Sequence, residues 1–99
     1  MREMSVAERR MDQRFRVRWP MLILAAGGTR VGETDDISMG GVFIRCEKPL
    51  PPDEKVLLTF ENHSDNRQVV FAKVAWTNLE SRGSSDKPVG MGMQFIQFL

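Results

Sequence analysis

Two short groups of polar residues in this sequence could together bind a compact anionic ligand. Arg10 and Arg14 are spaced as Arg-x-x-x-Arg near the beginning of the chain, and Asp36 and Ser38 follow further along. A guanidinium group offers its donors in a planar fork, which matches phosphate oxygens or the O6/N7 edge of guanine. A carboxylate can accept two hydrogen bonds from the N1–H and N2–H₂ groups of guanine, and a hydroxyl can both donate and accept. These residue types indicate that a guanine nucleotide could be held by its phosphates and its base edges.

The arginine pattern also has a plain structural interpretation. Arg10 and Arg14 could be exposed side chains that pair with Glu8 and Asp12, since an Arg-x-x-x-Arg pattern is short and common. Arg9, which stands directly before the pattern, could likewise be a solvated charge. Taken alone, this motif is more often structural than functional.

The second motif is equally open to two interpretations. Gly40 and Gly41 close the segment that begins at Asp36, and glycine permits positive φ and a close approach of a ligand to the backbone. Asp36 and Ser38 could instead bond the local backbone of a turn between two strands. The occurrence of both motifs in one short chain is more specific than either motif by itself.

Composition limits the kinds of partner that this chain can bind. Its 99 residues are enough for one domain, and 41% hydrophobic with 27% charged residues is typical of a globular protein. The net charge of +1 argues against a protein that coats DNA or RNA. Residues 1 to 18, however, contain six arginines and three acids. A local basic arm on a nearly neutral body suits a compact anion better than a long polyanion.

The remaining chemistry-bearing residues indicate neither a membrane protein nor a metal site. No apolar run reaches the roughly 18 residues that a membrane span needs, and the N-terminus has no apolar segment typical of a secretion signal. Cys46 is the single cysteine, so we expect a reducing cytoplasm and a small apolar role for this residue. His63 lies in a polar turn without a second ligand nearby, which predicts no metal.

From Phe15 onwards, β-compatible apolar runs alternate with polar or Gly/Pro-rich turns. The pattern predicts six strands, at Phe15–Leu24, Arg30–Ile37, Gly41–Arg45, Lys55–Phe60, Val69–Thr77 and Val89–Leu99. Short strands at this spacing, with no convincing amphipathic helix, are typical of an antiparallel barrel or sandwich. We therefore expect an all-β fold, preceded by a flexible N-terminal arm at residues 1 to 14.

Alternation along the strands predicts the core. Val70, Ala72, Val74 and Trp76 share one face of the fifth predicted strand, so we expect all four to be buried. Trp19 and Trp76 could alternatively stack on a base; a tryptophan on an alternating strand is usually in the core, so we favour burial for Trp76 and leave Trp19 open.

The last predicted strand has two interpretations. Met91, Met93, Ile96 and Phe98 could complete the core, which is the interpretation we favour. Alternatively, some of them could form an exposed patch for self-association or docking.

The order of the two motifs resembles that of the PilZ family, bacterial domains that bind the second messenger cyclic di-GMP. The similar segments are Arg10-x-x-x-Arg14, Asp36-x-Ser38-x-x-Gly41, Gly41-Val42-Phe43-Ile44, Val74-Ala75-Trp76 and Gly90-Met91-Gly92-Met93-Gln94-Phe95. The resemblance implies a six-stranded antiparallel split barrel at residues 9–99, with a flexible segment at residues 1–8. Many relatives continue into a C-terminal helix. Because this sequence stops at Leu99, we expect little or no such helix.

The resemblance also implies a ligand-binding set. Its members are Arg9, Arg10, Arg14, Asp36, Ser38, Gly40 and Gly41. The two motif arginines would contact the phosphates and the Hoogsteen edges of guanine, and the carboxylate and hydroxyl would recognise a guanine base. The second glycine would shape the turn, while the first would admit the ligand. An arginine at the place of Arg9 is associated in relatives with an intercalated pair of ligand molecules, so we expect two ligands per protomer.

These residues predict a cyclic di-GMP-binding effector or adaptor that orders its N-terminal arm on binding. It would signal to a protein partner in motility, secretion or exopolysaccharide and biofilm control, without a cofactor, a nucleic acid or membrane insertion. The alternative is a PilZ-like protein interaction module that does not bind nucleotide. An RNA-binding OB barrel is less consistent, because it needs exposed aromatic residues and a broad basic stripe, whereas this sequence has no tyrosine and most of its six phenylalanines fit core positions. We expect no enzyme, since no nucleophile–base pair, metal-ligand set or phosphate-binding loop is present.

Overall fold

The fold is a closed antiparallel β-barrel of six strands. The computed structural model describes residues 13–61, 67–79 and 88–99, and these ranges contain no helix. The strands are β1 (Pro20–Ala25), β2 (Gly28–Ile37), β3 (Gly41–Arg45), β4 (Lys55–Glu61), β5 (Arg67–Asn78) and β6 (Gly90–Phe98). The predicted all-β barrel is confirmed. The segment expected to be flexible, residues 1–8, lies outside the described residues.

The strand order closes the sheet on itself. Around the barrel the strands follow the order β1-β2-β3-β6-β5-β4, and β4 pairs with β1 to complete the ring. All six neighbouring pairs are antiparallel. β6 lies between β3 and β5, so it connects the first three strands to the other two. Because each strand has two neighbours, the sheet has no edge strand that could pair with other chains.

Alternate side chains of the strands point into the barrel and form its core. The buried hydrophobic cluster consists of Met21, Ile23, Val42, Ile44, Leu50, Val56, Leu58, Val70, Ala72, Val74, Met91 and Met93. Burying a side chain as large as Val, Ile, Leu or Met contributes about 1.5–3 kcal/mol. The predicted burial of Val70, Ala72, Val74, Met91 and Met93 is therefore confirmed.

The predicted burial of Trp76 is wrong, because β5 is irregular at its end. The register between β5 and β6 shifts between Val74, which pairs with Met93, and Trp76, which pairs with Gly92. The extra residue reverses the alternation. Trp76 is consequently 39% exposed and lies on the outside of the barrel.

A second irregularity exposes the end of β6. Phe71 pairs with Gln97 and Ala72 pairs with Phe95, which leaves Ile96 without a partner on β5. Ile96 is 48% exposed and Phe98 is 54% exposed, so our expectation that these two side chains complete the core is wrong. Of the four side chains that we expected in the core, Met91 and Met93 fill the interior, whereas Ile96 and Phe98 do not.

Trp19, which the sequence left open, and Cys46, which we expected to be apolar, both lie partly in the interior. Trp19 is half-buried, with its ring centroid 6.5 Å from that of Phe60. Cys46 is half-buried against the core cluster, and burial raises the pKa of its thiol, although Arg30 and a backbone hydrogen bond at Lys48 oppose the effect. A thiol that keeps its proton is a weak nucleophile, which agrees with the apolar role expected for Cys46.

Candidate functional site

The segment before β1 runs along β2 and brings the N-terminal side of the chain to the second motif. The backbone groups of Phe15 and Ile37 exchange two hydrogen bonds, of 2.7 and 2.8 Å. Further along, the amide of Thr34 donates to the carbonyl oxygen of Trp19 over 2.9 Å. The strand β1 begins only at Pro20 instead of at Phe15, so residues 15–19, which directly follow Arg14 and are called the lead-in from here on, form an irregular extension of β1. Proline is tolerated at the first residue of a strand.

Thr34 fastens the middle of the lead-in. Its side chain is fully buried, and its hydroxyl donates to the carbonyl oxygen of Val17 while accepting a 2.8 Å hydrogen bond from the amide of Trp19. Sequence analysis did not identify this residue. Threonine is common in strands for its shape alone, and its spacing carries no signal for this contact.

Arg14 directly precedes the lead-in and contacts both polar residues of the second motif. Its Nε and Nη2 atoms lie 2.7 and 2.6 Å from Oδ1 of Asp36. Its Nη1 atom lies 3.4 Å from the hydroxyl oxygen of Ser38. The arginine and aspartate side chains are 46% and 29% exposed, and a pair of this exposure contributes at most about 1 kcal/mol to stability. The ion pair therefore does more to place the guanidinium than to stabilise the barrel.

The turn between β2 and β3 is held by its own hydrogen bonds. The amide of Ser38 donates to the carbonyl oxygen of Gly41 over 2.8 Å, and the amide of Gly40 donates to the hydroxyl oxygen of Ser38 over 3.2 Å. Ser38 is 7% exposed. The local bonding that we considered as the structural alternative is thus present, and it leaves the same hydroxyl within reach of Arg14.

Gly41 is required by a close approach of two strands and not by an unusual backbone angle. It pairs with Gln94 where β3 meets β6, and a Cβ atom at this position would lie 2.1 Å from the carbonyl oxygen of Met93. Its φ does not lie in the left-handed region that favours glycine. Gly41 does not use the positive φ that glycine permits. Glycine is needed here because the space between β3 and β6 leaves no room for a side chain.

Two aromatic rings meet over a glycine on the outside of the barrel. Gly92 pairs with Phe43 on one side and with Trp76 on the other. The rings of Phe43 and Trp76 stack with centroids 5.1 Å apart and planes 23° apart. A Cβ atom on Gly92 would lie 2.2 Å from the indole nitrogen of Trp76, so the absence of a side chain allows the indole to lie there.

These features surround one open groove of about 380 Å³. Its lining includes Arg14, Ser38 and Gly40 together with Trp76 and Gly92. Ligand sites commonly have volumes of about 300–1,000 Å³. The groove combines a cation, hydrogen-bonding groups and an aromatic face, which together suit a flat, negatively charged ligand.

A larger groove of about 790 Å³ lies between β2 and the segment after β3. Its lining mixes cations and acids, among them Arg30, Glu33, Glu47 and Lys48. It contains neither of the two motifs, and its charges do not favour one kind of ligand. We therefore consider the smaller groove to be the candidate site.

The structure brings together the described part of the predicted binding set. Arg14, Asp36 and Ser38 are joined by the contacts given above, and Gly40 and Gly41 form the turn beneath them. The ligand-binding roles of these residues stay predictions. Arg9 and Arg10 lie outside the described residues. Trp76 lines the candidate groove, whereas the alternation along its strand favoured the core; only its aromatic side chain, which could stack on a base, indicated a place in the site.

Other kinds of site find no support in the part of the chain that the structure describes. No group of three or more His, Cys, Asp or Glu side chains there is placed to hold a metal ion. His63 lies outside the described ranges. None of the described segments is a helix with the length and apolarity to cross a membrane.

Comparison with known proteins agrees with this geometry. No curated protein matches the chain significantly. A family model described as PilZ domain matches residues 8–99. PilZ is a family of binding and effector domains, and its members generally bind cyclic di-GMP. Since the match spans nearly the whole sequence and the fold is the six-stranded barrel that the motifs implied, this chain belongs to the PilZ family.

Proposed function

We propose that this chain is a cyclic di-GMP-binding effector whose ligand occupies the groove between Arg14 and Trp76. The observation that carries the proposal is the contact of Arg14 with both Asp36 and Ser38 at the side of that groove. Two motifs far apart in the sequence thereby present a guanidinium, a carboxylate and a hydroxyl within one site. The proposed activity is binding and signalling, not catalysis.

The ion pair between Arg14 and Asp36 supports a mechanism of exchange. Nε and Nη2 of the guanidinium both contact a single oxygen of the carboxylate, Oδ1. A guanine base that donates from N1–H and N2–H₂ needs both carboxylate oxygens. We therefore propose that the ligand takes over the carboxylate, while the released guanidinium turns to a phosphate or to the Hoogsteen edge of a base.

The wall of the groove at Trp76 offers a stacking surface. Phe43 covers part of the indole, and 39% of the residue stays exposed. Stacking of a base on an aromatic side chain is worth about 1–3 kcal/mol. Stacking would provide affinity for the purine, and the hydrogen-bonding groups on the opposite side of the groove would provide selectivity for guanine.

The N-terminal arginines complete the proposal. Arg9 and Arg10 precede Arg14 closely in sequence, so they could reach a ligand in the groove. We propose that Arg10 joins Arg14 in clamping the ligand, that Arg9 favours an intercalated pair of cyclic di-GMP molecules, and that binding orders the N-terminal arm. The ordered arm would form a surface for a protein partner in the bacterial cytoplasm, in motility, secretion or exopolysaccharide control.

One observation favours a second candidate, a protein interaction module that does not bind nucleotide. Arg14 and Asp36 already satisfy each other, and Ser38 already bonds its own turn. Such a site could be purely structural. The two candidates differ in their response to cyclic di-GMP.

Isothermal titration calorimetry of the full chain with cyclic di-GMP tests the proposal. We expect a dissociation constant in the micromolar range, about −8 kcal/mol, and a stoichiometry of two ligands per protomer. The Arg14→Ala variant should lose at least about tenfold to a hundredfold in affinity, because a hydrogen bond to a charged group contributes about 1.5–3 kcal/mol.

The neighbouring exposed Arg16 provides the matched control. Arg16→Ala removes the same charge from the same segment, so it should bind nearly as tightly as the unchanged chain. If the chain releases no heat with cyclic di-GMP and its melting temperature does not change, the interaction module is the correct function. Equal affinities for the two alanine variants would show that the ligand binds elsewhere.

A further inference from the structure

We propose that Thr34 is a positioning residue for ligand binding, because it holds the lead-in next to Arg14. This inference rests on the proposed function and assigns a role to a residue outside both motifs. Thr34 lies on β2, two residues before Asp36.

The hydroxyl of Thr34 replaces backbone pairing that the lead-in lacks. The lead-in is tied to β2 at its two ends, by the bonds between Phe15 and Ile37 and by the bond from Thr34 to Trp19. Five residues, Phe15–Trp19, thus lie against four residues, Thr34–Ile37. A regular ladder cannot continue across this mismatch. The side chain of Thr34 fills the gap by bonding Val17 and Trp19.

The burial of Thr34 makes these bonds hard to replace by water. Its side chain is 0% exposed, and within the described residues only Ser38 is a second buried polar side chain. A buried donor or acceptor without a partner is unfavourable. Removal of the hydroxyl would leave the carbonyl of Val17 and the amide of Trp19 without that partner, and the lead-in would have to move to find water.

Movement of the lead-in reaches the binding groove directly. Arg14 is next to Phe15, the far end of the lead-in, and its guanidinium is held at the groove by side-chain contacts alone. A looser lead-in gives Arg14 more positions to lose when the ligand binds. Thr34 therefore lowers the entropic cost of placing the guanidinium and itself makes no contact with the ligand.

Two matched substitutions separate positioning from general stability. Thr34→Val keeps the shape of the buried side chain and removes the hydroxyl, whereas Thr34→Ser keeps the hydroxyl and removes a methyl group. Titration with cyclic di-GMP should show a loss of about tenfold in affinity for Thr34→Val and a loss of less than about twofold for Thr34→Ser, since two hydrogen bonds disappear in the first variant only. The melting temperature of each variant is recorded alongside.

Amide hydrogen exchange at Trp19 in the ligand-free protein gives a second measurement that does not depend on the ligand. The Trp19 amide should exchange faster in Thr34→Val and stay protected in Thr34→Ser. Unchanged affinity of Thr34→Val, or affinities of both variants that only follow their melting temperatures, would overturn the positioning role. If the unchanged chain itself fails to bind cyclic di-GMP, the proposed function falls and the positioning role falls with it. The exchange measurement would then show only whether the hydroxyl of Thr34 protects the amide of Trp19.

Discussion

Two parts of the outer face of this barrel are each built from residues that pair across three neighbouring strands, but they differ in the side chains that they carry. The motif wall consists of Phe43, Gly92 and Trp76 on β3, β6 and β5. The apolar wall consists of Leu24, Leu57 and Phe71, which are partners in register on β1, β4 and β5. On the motif wall Gly92 carries no side chain, and the indole of Trp76 covers the place where one would stand. On the apolar wall every position carries a large side chain and fills its place.

The difference indicates that, if the groove is the ligand site, affinity and stability depend on different parts of this small sheet. Cross-strand apolar pairs contribute roughly 0.2–1 kcal/mol each, and the apolar wall continues this pairing across three strands. On the motif wall the indole of Trp76 occupies the place of a Gly92 side chain, and both residues line the groove. We therefore expect substitutions on the motif wall to change affinity and substitutions on the apolar wall to change stability.

The largest effect is expected from Gly41→Ala, where β3 meets β6 beneath the motif wall. The added Cβ would lie 2.1 Å from the carbonyl oxygen of Met93, so β3 and β6 must move apart. Overpacking of this kind commonly costs about 1–3 kcal/mol. We expect a lower free energy of unfolding in urea titration and also weaker binding of cyclic di-GMP.

Gly27→Ala is the matched control for this variant. Gly27 has no atom within 4 Å of the added Cβ, and its φ is not left-handed. It should unfold within about 0.5 kcal/mol of the unchanged chain, as surface substitutions usually do. Similar destabilisation by both variants would show that the close approach of β6 is not the reason for glycine at position 41.

A smaller effect is expected when a side chain is added to the motif wall at Gly92. Gly92→Ala places a Cβ atom 2.2 Å from the indole nitrogen of Trp76, which displaces the ring from its stack on Phe43. We expect an affinity loss of about tenfold, since base stacking contributes about 1–3 kcal/mol. Calorimetric titration measures this loss, and Trp76→Ala should reproduce it. Undiminished affinity in both variants would exclude the indole from the ligand site.

The smallest effect is expected from Phe71→Ala on the apolar wall. Phe71 is half-buried, and full burial of a phenylalanine contributes about 1.5–3 kcal/mol. The free energy of unfolding should therefore fall by about 1 kcal/mol, while the affinity for cyclic di-GMP stays unchanged. Phe71→Leu should recover most of the stability. A clear loss of affinity in Phe71→Ala would show that the two walls are coupled.

The sequence predicted the regular parts of the barrel well because alternation is a local signal. Val70, Ala72 and Val74 are buried as their spacing indicated. Trp76 continues the same spacing and is nevertheless outside, because the register shift opposite Gly92 is decided by another strand. A bulge depends on two strands at once, so one strand's pattern cannot reveal it.

The sequence predicted residues of the candidate site but not Thr34, the residue that holds the neighbouring backbone in place. The spacing of Arg14, Asp36 and Ser38 matched a known pair of motifs, and the structure places the three side chains in contact. Thr34 has no such pattern. Its importance follows from the path of the lead-in, which depends on the closed barrel and cannot be read from neighbouring residues.

The central place of β6 in the ring has a consequence for biosynthesis. β6 pairs with β3 and β5, and the amide of Phe95 donates to the carbonyl oxygen of Gly40 at the motif turn. A nascent polypeptide leaves the ribosome from its N-terminal side at about 5–20 residues per second. Until residues 90–98 have emerged from the exit tunnel, β3 and β5 each lack a neighbour and the motif turn lacks its bond. Closure of the barrel and of the candidate groove therefore waits for the synthesis of residues 90–98, and until then β3 and β5 present unpaired strand edges that favour pairing with other chains.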